Sequence, residues 1–236
     1  VLSYDNLGQL RTENFPDTTP DKTYSYDGNG NLTSLLAGSV NWTYLYNSLN
    51  TIEKETLALD GKNFVLDWEY NNLGGLSSLK YPSGTIVDFA PNALGQATKA
   101  GSYASGVSYH PNGQIKQFTY GNGIIRNVAL DTTGRIDALT DIKAGSIKNS
   151  LDPSYDYNDN LARLIDWVDR NNDVDNLTYD GVDRLKSADG KWGTGRYNYD
   201  GLGNVLSRSL NNSTITYNYN SLNRLNNLTG AYAYGY

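Results

Sequence analysis

The heptad at residues 199–205, Tyr-Asp-Gly-Leu-Gly-Asn-Val, recurs in altered copies along the whole chain. Clear copies stand at residues 4–10, 26–32, 179–185 and 219–225. A tandem repeat restricts the fold to architectures in which one small unit stacks on further copies of itself. The repeat therefore limits what this chain can fold into more strongly than any other feature.

Each copy begins at an aromatic or apolar landmark residue, and successive landmarks are 19 to 27 residues apart. The landmarks are Tyr4, Tyr26, Tyr46, Tyr70, Phe89, Tyr109, Leu130, Tyr157, Tyr179, Tyr199 and Tyr219. No linker and no change of composition separates one copy from the next. The spacing predicts a single array of about eleven units over residues 1–236.

Turn-forming residues occupy fixed positions after each landmark. The next residue is Asp or Asn in most units, and the fourth is Gly, Asn or Asp, which tolerate positive φ best. This spacing is typical of a type I turn closed by a G1 bulge, and an aliphatic residue such as Val205 follows. The residues predicted to carry the repeat are Tyr4, Asp5, Gly8, Tyr26, Asp27, Gly30, Tyr70, Gly74, Tyr109, Gly113, Asp131, Gly134, Tyr179, Asp180, Tyr199, Asp200, Gly203 and Tyr219.

The segments before the landmarks alternate aromatic and polar residues, as in Tyr197-Asn198-Tyr199. This period of two places the aromatic side chains on one face of a strand. A second set of turns is predicted at residues 82–84, 121–123, 189–190 and 211–213. The chain is therefore predicted to be all-β, with tandem β-hairpins that form a long, twisted antiparallel sheet.

Three units depart from the pattern. The unit that begins at Phe89 has two additional residues before its glycine, and His110 stands where Asp is usual. The longest interval predicts a surface loop near residues 148–153. The repeat register predicts a strand at 161–168, although the spacing of apolar residues there also resembles a short helix.

Composition excludes several classes of function. The net charge is −6 and the Lys and Arg residues are scattered, so neither a nucleic-acid partner nor an anionic membrane surface is expected. There is no Cys for a disulfide, a thiolate metal site or a nucleophile. No apolar run approaches the ~18 residues of a membrane-spanning helix. No cofactor, catalytic residue or metal ligand is predicted.

Two polar features allow a functional alternative. His110 is the one histidine, and without partners it is interpreted as a turn substitution rather than a catalytic or metal-binding group. The segment 169–180 spaces oxygen side chains as a calcium loop does, with Asp169 first and Asp180 twelfth. A calcium loop requires Gly at the sixth position and Glu at the twelfth, so a solvated loop between strands is favoured.

Aromatic and acidic residues allow two more alternatives. Stacking on sugar rings is open to the tryptophans Trp42, Trp68, Trp167 and Trp192. Their regular spacing favours packing along the aromatic face of the sheet instead. Paired carboxylates for glycoside cleavage are also conceivable among the 25 acidic residues, but most of these are turn Asp residues.

The repeated Tyr-Asp-x-x-Gly-x-Leu pattern resembles the YD repeat of the Rhs (rearrangement hotspot) family. Relatives in that family are the C components of bacterial insecticidal ABC toxins, wall-associated proteins and, distantly, the animal teneurins. The resemblance covers the whole chain and implies a sheet that spirals into a hollow shell around a toxic cargo domain. It also implies a bacterial, secreted or cell-envelope-associated protein. The family's self-cleavage motif, Asp-Pro-x-Gly-Leu, is absent because Asp152-Pro153 continues with Ser154-Tyr155.

The chain is thus interpreted as a non-enzymatic structural segment of a shell that encapsulates a toxin or another polypeptide. The expected partners are the rest of a larger parent protein and its cargo, because the chain lacks Met at position 1 and neither end resembles a cap. The uncapped ends predict strand edges that permit edge-to-edge pairing between copies. The alternatives are a cell-surface carbohydrate-binding or adhesion module and a polysaccharide-degrading enzyme domain.

Overall fold

The computed structural model describes residues 1–230, and about 57% of the protein is in β-strands. The strands form a nine-stranded and a twelve-stranded sheet, both antiparallel and both with their strands in sequence order. This confirms the predicted fold class of tandem hairpins. Residues 231–236, where one uncapped end is predicted, lie outside the described residues.

The chain divides into two compact units, Val1–Val107 and Ser108–Tyr236, and the division falls inside one strand, β10. The single array predicted over residues 1–236 stays a prediction. The strands of the nine-stranded sheet are β1 (Leu2–Tyr4), β2 (Leu10–Glu13), β3 (Lys22–Tyr26), β4 (Leu32–Ala37), β5 (Val40–Tyr46), β6 (Ile52–Leu59), β7 (Lys62–Tyr70), β8 (Leu76–Lys80) and β9 (Ile86–Asp88).

The twelve-stranded sheet contains the remaining strands. They are β10 (Ala104–Tyr109), β11 (Ile115–Tyr120), β12 (Ile125–Leu130), β13 (Ile136–Lys143), β14 (Ser146–Tyr155), β15 (Leu161–Asp166), β16 (Val174–Tyr179), β17 (Leu185–Gly190), β18 (Gly193–Tyr199), β19 (Val205–Leu210), β20 (Ser213–Tyr219) and β21 (Leu225–Gly230). A single 3-10 turn, Arg170–Asn172, precedes β16.

In the nine-stranded sheet, the alternation in sequence gives one apolar and one hydroxyl-rich face. In the nine-stranded sheet, cross-strand pairing places Tyr24, Leu35, Trp42, Leu57 and Phe64 in one row. The neighbouring row, on the opposite face, is formed by Ser25, Ser34, Thr43 and Thr56.

Few hydrophobic side chains are buried within residues 1–230. The buried hydrophobic residues there are Val87, Ala188 and Ile215, each 7 to 9% exposed. Most aromatic rings are half-buried by their neighbours in the same sheet. Stability therefore comes mainly from contacts between adjacent strands, as expected for a repeat protein.

A change of register accompanies each hairpin turn. Tyr199 pairs with Val205, whereas the preceding Asn198 pairs with Ser207, so Leu206 has no opposite residue. The same shift occurs beside eight other repeat turns, in both sheets. Such bulges bend a strand and increase its local twist. The G1 bulge at the turn glycine is predicted from the sequence, whereas this register shift beyond it is not.

Three local predictions have different outcomes. Residues 148–153 are not a loop, because they lie inside β14, and the chain turns earlier, at Ala144 and Gly145. Residues 189–190 are not a turn, because they are the end of β17. The strand predicted at 161–168 is confirmed as β15, which ends at Asp166.

Candidate functional site

The recurring structural site is the hairpin turn after each landmark, which we call the corner; in the opening heptad it comprises residues 200–204. The Asp200 amide donates to the Asn204 carbonyl (3.0 Å), and the Gly203 amide donates to the Asp200 carbonyl (3.2 Å). Oδ1 of Asp200 accepts from the amides of Leu202 (2.9 Å) and Asn204 (2.8 Å). One side-chain oxygen therefore pairs with two backbone N–H groups that the turn leaves without a strand partner.

The same clamp recurs with either carboxylate or amide. In each case Oδ1 accepts from the amides two and four residues later, at Asp5, Asp27, Asn47, Asn71, Asn92, Asp131, Asp156, Asp180, Asp200 and Asn220. Asp and Asn interchange because each supplies the same acceptor oxygen.

The residue three positions after the clamp has positive φ throughout. These residues are Gly8, Gly30, Asn50, Gly74, Gly95, Gly113, Gly134, Asp159, Asp183, Gly203 and Asn223. All six glycines predicted to carry the repeat belong to this set. In a type I turn with a G1 bulge this position is left-handed, which only Gly, Asn and Asp adopt readily.

Two corners lie at positions other than those predicted from the landmarks. The landmark assigned to Tyr157 is wrong: Tyr155 ends β14, Asp156 is the clamp, and Tyr157 is fully exposed at the tip of the turn. The unit assigned to Phe89 has its corner at Asn92. The sequence contained a usable signal for the first, because Asp159 stands at the positive-φ position as Asp183 does.

His110 occupies the clamp position of its corner without making a clamp. Its amide and carbonyl close the turn with Gln114 and Gly113 as in other units. The Gln114 amide is paired instead with Oδ1 of Asn112 (3.1 Å). The imidazole Nε2 of His110 lies 2.8 Å from the Val128 carbonyl and donates to it. This geometry agrees with the turn interpretation of His110.

The landmark tyrosines join successive hairpins through their hydroxyl groups. The Tyr199 hydroxyl donates to the Leu185 carbonyl (2.9 Å), and the Tyr70 hydroxyl donates to the Ile52 carbonyl (2.8 Å). Equivalent bonds are made by Tyr26, Tyr46, Tyr155, Tyr179 and Tyr219. Each accepting carbonyl belongs to the first residue of a strand, which comes before the part of that strand that pairs with the next hairpin. Leu185, for example, begins β17, whereas pairing of β17 with β18 begins at Ser187. Phenylalanine would fill the same space but leave this carbonyl unpaired.

Neighbouring corners are also linked to each other by side chains. Nδ2 of Asn204 donates to Oδ1 of Asn223 (2.7 Å), and Nδ2 of Asn160 donates to Oδ1 of Asp183 (2.8 Å). Nδ2 of Asn31 donates to Oδ1 of Asn50 (3.0 Å). Where the positive-φ residue is Asn or Asp, its side-chain oxygen therefore accepts a hydrogen bond from a side chain of the preceding corner. The sequence signal was a polar residue four positions after the clamp.

Hydrogen bonds to the clamps lower the pKa of their carboxyl groups. The Asn204 and Asn31 side chains lower the pKa of Asp200 and Asp27, and the Arg184 backbone amide and guanidinium lower that of Asp180. The Thr133 hydroxyl has the largest effect on the pKa of Asp131, which is also lowered. Folding therefore favours the ionised form of these groups.

We expect stability to fall in acid as a consequence. Carboxyl groups whose pKa is lower in the folded protein stabilise it above their ordinary value near 3.8, and this contribution disappears as the pH falls below that value. Thermal unfolding followed by circular dichroism should show a falling Tm between pH 5 and pH 2. Asp200→Asn keeps the acceptor oxygen without the titration and should show a smaller fall. An unchanged Tm over this range would contradict the clamp electrostatics.

Of the segment 169–180, residues 169–173 form a folded loop and residues 174–179 are strand β16, so the segment is not an array of ligands. Oδ1 of Asp169 accepts from the Asn171 amide and caps the 3-10 turn. The buried Asp173 accepts from the Asp166 amide (2.8 Å) and from Nε of Arg170 (2.6 Å). Among residues 1–230, no three acidic or histidine side chains lie close enough to hold a metal ion. The loop carboxylates are thus used by the loop itself.

The four tryptophans occupy different surroundings. Trp42 pairs across strands with Leu35 and Leu57, and Trp68 pairs with Leu79, so both contribute to the apolar face. Trp167 is 57% exposed and donates from Nε1 to Asp152 (3.2 Å), with the Arg170 guanidinium 4.9 Å from its ring. Sugar stacking stays a prediction for all four.

The indole of Trp192 lies beside two glycines of the adjacent strands. A Cβ atom on Gly195 would be 3.7 Å from the six-membered ring, and one on Gly190 would overlap with Nε1. The turn between β17 and β18 consists of residues 191–192. The absence of side chains at Gly190 and Gly195 makes space for the indole ring of Trp192.

In the part of the chain that the structure describes, no helix has the length and apolar character needed to cross a membrane.

No protein-family profile and no curated protein sequence matches the chain. Solved structures do. The crystal structure of TcdB2-TccC3-Cdc42 superposes with a TM-score of 0.73 over 95% of this chain at 16% identity. The crystal structure of TcdB2-TccC3 without its hypervariable C-terminal region superposes with a TM-score of 0.74 over 95% of this chain at 17% identity. The crystal structure of TcdB2-TccC3 superposes with a TM-score of 0.70 over 97% of this chain at 14% identity.

The chain spans only 15 to 17% of the length of those chains. At this level of identity the likeness concerns the fold. The hairpin arrays, their corners and this likeness together establish that the chain has the fold of the Rhs/YD-repeat proteins, as the repeated Tyr-Asp motif predicts.

Proposed function

We propose that the chain is one segment of the wall of an Rhs-type shell, and that the complete shell encloses a cargo polypeptide. The observation that carries this proposal is the strict sequential order of hairpins in single-layered sheets. A sheet built in this way extends by adding units and does not need a separate core for each addition. The structural likeness to TcdB2-TccC3 over 95% of the chain supports the same role.

The wall acts by exclusion. Its corners and tyrosine bonds hold neighbouring hairpins together, so the backbone between them is paired and is closed to proteases. This role assigns no chemical step to the chain, and its non-enzymatic character is part of the proposal. The existence of a larger parent protein, its secretion and its polypeptide cargo are also parts of the proposal.

Protease protection in the complete parent protein tests the proposal. A cleavage site for a sequence-specific protease is placed in the segment that follows the repeats, and a control site is placed at the exposed turn tip of Tyr157. We expect the control site to be cleaved at least ~100-fold faster, because cleavage of the enclosed site requires opening of the wall. Gly190→Ala, which perturbs the wall, should accelerate cleavage of the enclosed site. Equal cleavage of both sites in the unmodified protein would refute containment.

The carbohydrate-binding and polysaccharide-degrading alternatives have no specific support among residues 1–230. A glycan-array experiment with the same protein separates them from the wall role. Binding that is lost on Trp167→Ala would favour the lectin alternative, since this ring is the most exposed of the four tryptophans.

A further inference from the structure

An apolar cavity of about 620 Å³ lies in the unit Val1–Val107, next to the irregular segment between β9 and β10. Its walls include the rings of Tyr81, Phe89 and Tyr103, and Val87 lies among them. Val87 is 8% exposed, whereas Tyr103 is 63% exposed and Tyr81 39%. The cavity therefore has a closed apolar base and aromatic rings that remain open to a ligand. Its volume falls in the range of small-molecule sites.

The backbone that forms this cavity is held in place without a ligand. The Gly101 amide donates to the Asp88 carbonyl (2.8 Å), and the Thr98 amide donates to the Phe89 carbonyl (3.0 Å). Ala100 and Ala104 form a bridge that positions Tyr103. Gly101 has a φ of +53° and packs on Val87, where a Cβ would be 3.7 Å from the Val87 Cα. The segment is consequently preorganised, which lowers the entropic cost of binding.

The polar chemistry of the lining excludes several ligand classes. No Asp, Glu, Lys, Arg, Asn or Gln residue lines the cavity. An anion finds no counter-charge, and a sugar finds none of the carboxylate or amide groups that bind adjacent hydroxyls in pairs. The hydroxyls of Ser83 and Thr85 bond to each other (3.0 Å). What the site offers is aromatic surface.

The two exposed tyrosines are not used by the repeat. Landmark tyrosines such as Tyr70 donate a hydrogen bond from their hydroxyl group to a carbonyl of the preceding hairpin. Within residues 1–230, the hydroxyls of Tyr81 and Tyr103 have no hydrogen-bond partner. A phenol that is free to donate or accept at the edge of an aromatic cavity fits a ligand with a polar edge.

We propose that this cavity, which we call the aryl site, binds an uncharged aromatic ring that has a hydrogen-bonding group at its edge, such as a phenol or an indole. Edge-to-face and offset contacts with the rings of Tyr81, Phe89 and Tyr103 supply the attraction, and the free hydroxyls orient the polar edge. The inference stands on the cavity alone and does not require the shell role.

Titration of the chain of 236 residues with N-acetyl-L-tryptophan amide tests the site. Two-dimensional NMR should show saturable shifts of the amides of Gly101 and Ala104, with a Kd on the order of 0.1 to 1 mM. Tyr103→Ala should weaken binding ~10-fold, and Tyr81→Ala provides a second test at another ring of the site. Tyr157→Ala removes an exposed tyrosine from a corner and should leave the Kd unchanged.

Two further probes define the ligand class and its source. N-acetyl-L-leucine amide and cellobiose should bind at least ~5-fold more weakly than the tryptophan amide, since neither has an aromatic ring. An unstructured Gly-Ser peptide with one Trp that binds more tightly than the free amide identifies a polypeptide as the source, and weaker binding identifies a small molecule. Absence of saturable binding, equal affinity for cellobiose, or an unchanged Kd in both alanine variants overturns the proposal.

Discussion

Gly190→Ala is expected to lower the free energy of unfolding by about 2 to 3 kcal/mol, the cost of overpacking at a site that cannot relax. A Cβ at Gly190 would overlap with the carbonyl oxygen of Asp173, the residue before β16, and with Nε1 of Trp192. The first of these is backbone, so the strands themselves would have to separate. Urea unfolding followed by circular dichroism measures the effect.

Gly201→Ala is the matched control. It lies in the corner of the next unit, has no other group within 4 Å of the position where a Cβ would stand, and does not have positive φ. We expect a change within about 0.5 kcal/mol. If both glycine variants are equally stable, the close packing of β16, β17 and Trp192 is wrong.

Tyr179→Phe and Tyr219→Phe are each expected to lower the free energy of unfolding by about 1 kcal/mol, and the double variant by about 2 kcal/mol. Their hydroxyls donate to the carbonyls of Leu161 (2.9 Å) and Val205 (3.0 Å). Removing the donor leaves a half-buried carbonyl unpaired, while the ring continues to pack. The two sites are separated by the whole unit of Tyr199, so their effects should add.

Tyr157→Phe supplies the comparison for this pair. This tyrosine is fully exposed, and its hydroxyl has no partner among residues 1–230. The substitution should leave the midpoint of urea unfolding unchanged. A loss at Tyr157 equal to that at Tyr179 would mean that the hydroxyl bonds between hairpins contribute nothing specific.

The corner could be predicted because all its determinants lie within five consecutive residues. Asp200, Leu202, Gly203 and Asn204 are close in sequence, and the clamp joins residues two and four positions apart. Turn chemistry of this kind depends on local φ preferences and on one acceptor oxygen. The same locality explains why the landmark at Tyr157 is wrong: Tyr155 and Tyr157 both precede Asp or Asn, and pairing with β15 decides between them.

The turn at residues 191–192 lies two residues beyond the position that turn-forming residues alone predict. Asp189 and Gly190 have the composition of a turn, yet both pair in β17 with Thr194 and Gly193. Gly190 is required by the Trp192 indole, which lies in the adjoining turn, and by the Asp173 carbonyl, which approaches from the segment before β16. From the sequence alone, a glycine that is required by close packing cannot be distinguished from one that is required by a positive φ.

By itself, the sequence determined the hairpin unit, its corner and its aromatic face, because the period of two and the turn residues act over neighbouring positions. Only the tertiary structure decided why the landmark is tyrosine, since its hydroxyl bonds to a carbonyl 14 to 19 residues earlier. It also decided where the strand register shifts beyond each turn, how corners bond to each other and where the aryl site opens. These features arise from strand register and from packing between hairpins, which no single unit contains.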